Sequence, residues 1–134
     1  MPDQRPTQPL QAINPPGLYD PTPNGYSHLM LTPTNVRWLF VAGQGAEDVS
    51  GRLPDDFADQ LTHCLSNLQC ALAAGGAHFS QVVKLTVLVV DHSEARLALI
   101  SAALAKAAGD TPAPACTLIP VPRLALDGML IEID

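Results

Sequence analysis

Apolar positions change their spacing several times along the chain, and each change marks an element. Phe57, Leu61, Cys64, Leu65, Leu68 and Leu72 recur in steps of three and four, the signature of one helix face. Pro54 and the acidic pair Asp55-Asp56 suit that helix's start, where carboxylates meet the positive end of the backbone dipole; Gly75-Gly76 suits its stop. A second helix is expected from near Ser93 to Gly109, with Leu97, Ile100 and Leu104 on one face and Asp91 or Ser93 as its cap. Between the helices, Val82 to Val90 is almost continuously apolar and β-branched, a strand pattern. Tyr26 to Leu31 and Val36 to Val41 read as two strands joined at Pro33-Thr34-Asn35, which predicts a hairpin. Two closing strands, roughly 115–121 and 128–133, flank a turn at Asp127-Gly128. Residues 1–12 are polar and lack periodicity, so a flexible tail is expected. Residues 13–25 hold too many prolines for a helix or a central strand and read as an extended surface strap.

The predicted order is ββαβαββ, an α+β domain over residues 13–134 with one mixed sheet covered by two helices on one face. The other face poses a problem. Val83, Leu85, Val87 and Val89 form one side of the long strand, but Val82, Leu88 and Val90 lie on the other, and Trp38 and Phe40 likewise oppose Leu39 and Val41. A sheet buried on one face alternates apolar with polar, and these strands do not. The pattern implies a second copy of the chain over the far face and a closed homo-oligomer.

Composition narrows the function. At 134 residues the chain is long enough for one core, and its net charge of −6 with seven basic residues argues against nucleic acid as a partner. Cys64 and Cys70 lie six apart in a helical pattern and point different ways, so with Cys116 they are expected to be reduced thiols. A basic start, an apolar leader and a membrane-length run are all missing, which predicts a soluble, cytoplasmic protein. His28, His63, His78 and His92 show no metal-ligand spacing, and neither a metal nor a cofactor is expected.

Few constellations carry chemistry. Gly43-Gln44-Gly45 runs into Glu47-Asp48 rather than a helix and lacks the lysine of a phosphate loop, so it reads as a strand-ending turn. Asp91-His92-Ser93 cannot converge on one atom from consecutive positions and reads as a helix cap. Cys116 and Glu132, on the closing strands, are the pair of interest, expected on one face of the sheet. A carboxylate among Leu130, Ile131 and Ile133 should have its pKa raised and could donate a proton near neutral pH, against a plain solvated or Arg-paired role. For Cys116 a small buried hydrophobe outweighs a reactive thiol.

Several segments, in order, resemble the Rid family (reactive intermediate deaminases, also called RidA, YjgF or endoribonuclease L-PSP). They are Gly25-Tyr26-Ser27, Val41-Ala42-Gly43-Gln44, Gln60 through Asn67-Leu68 to Ala74-Gly75-Gly76, and Val82-Val83-Lys84-Leu85-Thr86-Val87. Pro114-Ala115, Val121-Pro122-Arg123-Leu124 and Leu130-Ile131-Glu132-Ile133 complete the match. The resemblance implies a homotrimeric barrel with clefts between subunits, and hydrolysis of imines or enamines to carbonyl compounds and ammonia. It puts the family's catalytic tyrosine on Tyr26, its glutamate on Glu132, and a water-orienting backbone carbonyl on Leu118. The arginine that clamps the substrate carboxylate is replaced by Cys116, and a serine before Gly43 by Ala42. Ala42, Gly43, Cys116 and Arg123 are the implied substrate-binding positions. A neutral thiol cannot form the bidentate, charge-assisted bond of an arginine, so the implied substrate differs from an imino acid. The alternative is a trimer that binds or senses a small ligand in the same cleft without turning it over.

Overall fold

The computed structural model describes residues 10–134, and the expected tail over 1–12 falls mostly outside them. The elements are β1 (Gln11–Ile13), β2 (Leu29–Leu31), α1 (Phe57–Ala74), β3 (Lys84–Val90), α2 (Glu94–Ala108), β4 (Ala115–Val121) and β5 (Ile131–Ile133), with 3-10 turns at Thr22–Asn24 and Phe79–Gln81. The α+β class and the ββαβαββ order hold, but β1 takes the place of the expected Val36–Val41 strand and the strands form two sheets rather than one.

Both helices begin where local chemistry allows. Asp56 caps α1 by accepting the Asp59 N–H, and Ser93 caps α2 by accepting the Arg96 N–H. The Asp91-His92-Ser93 run is therefore a helix entry; Asp91 takes φ 52°, which turns the chain out of β3. Phe57, Leu61, Cys64, Leu65, Leu68 and Leu72 of α1 and Ile100 and Leu104 of α2 pack on Leu85, Val87 and Val89 of β3 and Ile131 and Ile133 of β5. That layer is the core. At about 25 cal/mol per Å² of apolar area removed from water, it is the main source of stability.

β3 lies at the centre of a three-stranded sheet, parallel to β4 and antiparallel to β5. Pairing differs from expectation at the start of the chain. The predicted Tyr26–Leu31/Val36–Val41 hairpin does not form. Instead β2 pairs antiparallel with β1, so residues 11–12, assigned to the tail, belong to a strand. With β2 already paired, Val36–Val41 has no strand partner among the described residues, and of its apolar side chains only Val41 packs against the core: Trp38 is 55 % and Phe40 90 % exposed. Only Gln44, beyond its end, pairs with β5 by reciprocal bonds to Ile133. The β1–β2 ribbon is tied to β4 by one parallel bridge, Ser27 to Ala115, where Ser27 donates to the Pro114 and Ala113 carbonyls.

No helix among the described residues is long and apolar enough to cross a membrane.

Candidate functional site

Strand register decides where the two main candidates lie. Cys116 pairs with Leu85 and Leu118 with Val87, both core positions of β3, so Cys116 and Leu118 face the helices and pack against the core. Glu132 pairs with Leu88, which points to the opposite side, while its neighbours Ile131 and Ile133 are fully buried under the helices. Cys116 and Glu132 thus occupy opposite faces of the sheet, a correction to the single face expected from the sequence. They lie two strand spacings across and three residues along, about 14 Å apart within one chain. Alternation along each strand was read correctly; the offset between strands is a long-range property that periodicity does not carry.

Around Glu132 the backbone makes the space. A Cβ placed on Gly43 would collide with the Glu132 carboxylate, so the bare glycine lets that side chain lie across the 42–45 segment. The segment itself is pinned. The Gln44 carbonyl accepts both the Ile133 N–H and the Cys64 thiol (2.8 Å), while Asn67 Nδ2 donates to the Gly45 and Glu47 carbonyls at 2.9 Å. Gly43-Gln44-Gly45 is thus a fixed rail bridged to β5, not the strand-ending turn expected, because no strand precedes it; Ala42 sits exposed at its start. Cys64 is fully buried; burial, with lesser contributions from Glu132 and Glu47, pushes its thiol up to about 12.

The second cluster surrounds Cys116. Burial raises this thiol's pKa, with Lys84 acting weakly the other way, so it rests as a neutral SH. The parallel bridge of Ser27 to Ala115 sets Tyr26 and His28 beside the start of β4, where Cys116 lies. The Tyr26 hydroxyl bonds the hydroxyl of Tyr19, and this bond chiefly pushes Tyr26 up to about 12 by favouring the protonated phenol. His28 stands edge-on to both rings, 5.1 Å from Tyr19 and 5.7 Å from Tyr26 between centroids. Sequence reasoning missed Tyr19, which sits in the aperiodic, proline-rich strap. The available signal was turn chemistry: Asp20 accepts bonds from the Thr22 N–H and hydroxyl, and Asn14 Oδ1 accepts the His28 N–H, fixing the strap on either side of Tyr19.

Leu118 and Arg123 complete the inventory. The Ala115 N–H points to Val83 beside β3, so by alternation the Cys116, Leu118 and Pro120 backbone groups point to the outer edge of β4, where Ser27 bridges the end nearest Cys116. Pro120, which has no N–H to offer, fits that edge, and the Leu118 carbonyl is left open there. Arg123 lies beyond the far end of β4 from Cys116, its guanidinium on Asp127 at 2.9 Å. One chain therefore brings Ala42, Gly43 and Glu132 together, and Tyr26 with Cys116, but joins neither group to Arg123. Among the described residues, no cluster of His, Cys, Asp and Glu could hold a metal.

The family model described as endoribonuclease L-PSP matches residues 20–134. The chain belongs to this family, the Rid family. It is similar to the Rid protein YyfB from Yersinia pestis, described as of unknown function, at 36% identity and a TM-score of 0.88, covering 92% of this chain and 94% of that one. A yeast protein is 25% identical with a TM-score of 0.63, covering 81% of this chain and 82% of that chain. RidA from the Antarctic bacterium Psychrobacter sp. PAMC 21119, at 23% identity and a TM-score of 0.65 over 75% of this chain and 82% of that one, shares the fold. No curated protein gives a significant match.

Proposed function

We propose that this Rid protein hydrolyses small imine or enamine metabolites to a carbonyl compound and ammonia, as a homotrimer, with substrate choice altered by Cys116 at the place of the clamping arginine. The observation that carries this reading is the Glu132 carboxylate lying across a side-chain-free Gly43, on the face of the sheet away from the core. That placement leaves a proton-transferring group beside exposed backbone, where a planar C=N unit can approach. Oligomerisation is supported by the apolar surface one chain leaves open: Leu29, Leu31, Trp38, Leu39, Phe40 and Ile119 are all exposed. A second copy would also bring Glu132 of one subunit to the Tyr26–Cys116 cluster of another.

In the reaction, the Leu118 carbonyl on the free edge of β4 orients a water. The water oxygen bonds to the imine carbon as the C=N electron pair moves to nitrogen; Glu132 passes a proton to that nitrogen and collects the proton the water sheds, giving a carbinolamine. Glu132 then gives the amine a further proton, the C–N bond breaks as ammonia leaves, and the hydroxyl proton returns to the carboxylate as the carbonyl forms. Tyr26, held as a neutral phenol, lines the cleft. Ribonuclease chemistry has no support in a chain with net charge −6.

The test is ammonia release from imines generated in situ. Wild type should accelerate release, and Glu132→Gln, which keeps shape but loses the proton, should cost about 10²–10⁴-fold. Cys116→Arg should gain turnover of an imino acid. No acceleration by wild type of any imine, with ligand still bound, would replace this reading with that of a binding protein.

A further inference from the structure

We infer that Tyr19 sets substrate choice: with Tyr26 and His28 it forms an aromatic wall beside Cys116 that selects imines carrying no carboxylate, those derived from simple amines rather than from amino acids. This inference rests on the hydrolytic reading above.

Tyr19 is 61 % exposed, yet it is fixed at both ends. Its hydroxyl meets that of Tyr26, and its backbone carbonyl bonds His28 Nε2 at 2.7 Å. A carbonyl only accepts, so Nε2 carries the hydrogen of that bond. His28 is held in turn by its own N–H on Asn14 Oδ1 at 2.8 Å. The T-shaped packing of His28 against both tyrosines, at 87° and 82°, sets the angle between the three rings. An exposed aromatic ring held this firmly costs conformational freedom without gaining core burial, which marks a surface built for contact.

The charge around this wall fits one class of ligand. The thiol beside it rests neutral. Lys84, the cation that Cys116 senses, extends from the opposite face of the sheet and donates to Thr117 Oγ1 at 2.7 Å. Arg52 and Arg123 pair with Asp48 and Asp127, and Arg96 lies over the Phe57 ring while donating to the Val90 carbonyl. A carboxylate placed here would lose its hydration, gain no charge-assisted bond from Cys116, and face the negative faces of aromatic rings. An uncharged aliphatic or aryl group stacks on those rings, and a protonated imine nitrogen is attracted to them.

Two substrates that differ only in the carboxylate give the test. A flavin amine oxidase acting on 2-phenylethylamine supplies the carboxylate-free imine; an L-amino-acid oxidase acting on phenylalanine supplies the imino acid. Wild type should favour the first by at least ~10-fold in kcat/KM, Tyr19→Ala should bring the ratio close to one, and Tyr19→Phe should keep most of it. Equal or better use of the imino acid by wild type overturns the inference and leaves the hydrolytic reading standing. Acceleration of neither imine sinks both. A second readout needs no substrate. The chain has two tyrosines, so ultraviolet titration of tyrosinate reports these two alone. One phenol should ionise at about 12 in wild type and return to the ordinary range in Tyr19→Phe. Two phenols titrating together in the ordinary range in wild type would show that the wall is not assembled, and the inference would fall.

Discussion

Glu132 and Cys116 belong to the same three-stranded sheet, but they are held by unlike means. Glu132 stands between two buried isoleucines on β5, and its side chain has room because Gly43 contributes none. Cys116 faces the core, and what gathers around it comes from irregular chain: Tyr19 from the strap, Tyr26 from the residue before the Ser27 bridge, His28 from the lead into β2. The carboxylate end is positioned by register and core packing, which change slowly under substitution. The thiol end is positioned by side-chain hydrogen bonds among surface residues, so the nature of its wall can change while the core stays fixed. The proposed function fits this division: proton transfer would be set by the sheet, and ligand choice by the loops.

The largest expected effect comes from separating the two ends. If each site takes Glu132 from one subunit and Tyr26 from another, Glu132→Gln and Tyr26→Ala chains should each be nearly inactive alone. Unfolded, mixed in equal amounts and refolded together, they should recover about a quarter of wild-type activity, since half of the sites receive each intact group. No recovery on mixing would confine both groups to one chain, on opposite sides of β3, and the proposed cleft would be lost.

Gly43→Ala sharpens the comparison at the carboxylate end alone. The added methyl meets the flexible tip of Glu132, so the fold should survive while the carboxylate moves aside. A drop of about tenfold in kcat/KM is expected, the equivalent of about 1.4 kcal/mol of transition-state stabilisation, with the melting temperature little changed. Tyr19 should respond in the opposite sense, altering which imine is used rather than how fast the best one reacts. A Gly43→Ala protein with altered substrate preference and an unchanged best rate would erase the distinction between the two ends.

This division also explains what the sequence revealed. The helices were legible because packing on one face imposes three-and-four spacing locally, and Asp56 and Ser93 cap them where they begin. β4 was legible for the same local reason. Val36–Val41 was not, because alternating bulky residues report β preference and not the presence of a partner edge, which β1 had taken on β2. The faces of Cys116 and Glu132 depend on how β4 and β5 each register against β3, a relation between segments far apart in the chain. Tyr19 had no periodic context at all. Local physics exposed the scaffold, and the site was hidden wherever distant segments or side-chain hydrogen bonds did the positioning.

The smallest effect tests the rail beside Glu132 through pH. Cys64 donates to the Gln44 carbonyl, and its pKa is raised from 9.0 to about 12, chiefly by burial. A raised folded-state pKa means that the unfolded chain releases this proton first as pH rises. The thiol's contribution is therefore fully present below pH 9 and is lost progressively toward pH 12, with a slope of at most about 1.4 kcal/mol per pH unit. Cys116 and Tyr26 add slopes of the same sign, from near 9 and near 10 upward, so the informative quantity is a difference between proteins. Cys64→Ser keeps a donor for Gln44 but does not titrate in this range. Denaturant unfolding at neutral pH should find it about 1–2 kcal/mol less stable, because a hydroxyl is costlier to bury than a thiol. That deficit should shrink as pH is raised past 9, where the wild-type thiol loses its advantage. A deficit that stays constant with pH would mean that the thiol is not sealed against the Gln44 carbonyl, and that the rail carrying Gly43 beneath Glu132 is looser than its hydrogen bonds imply.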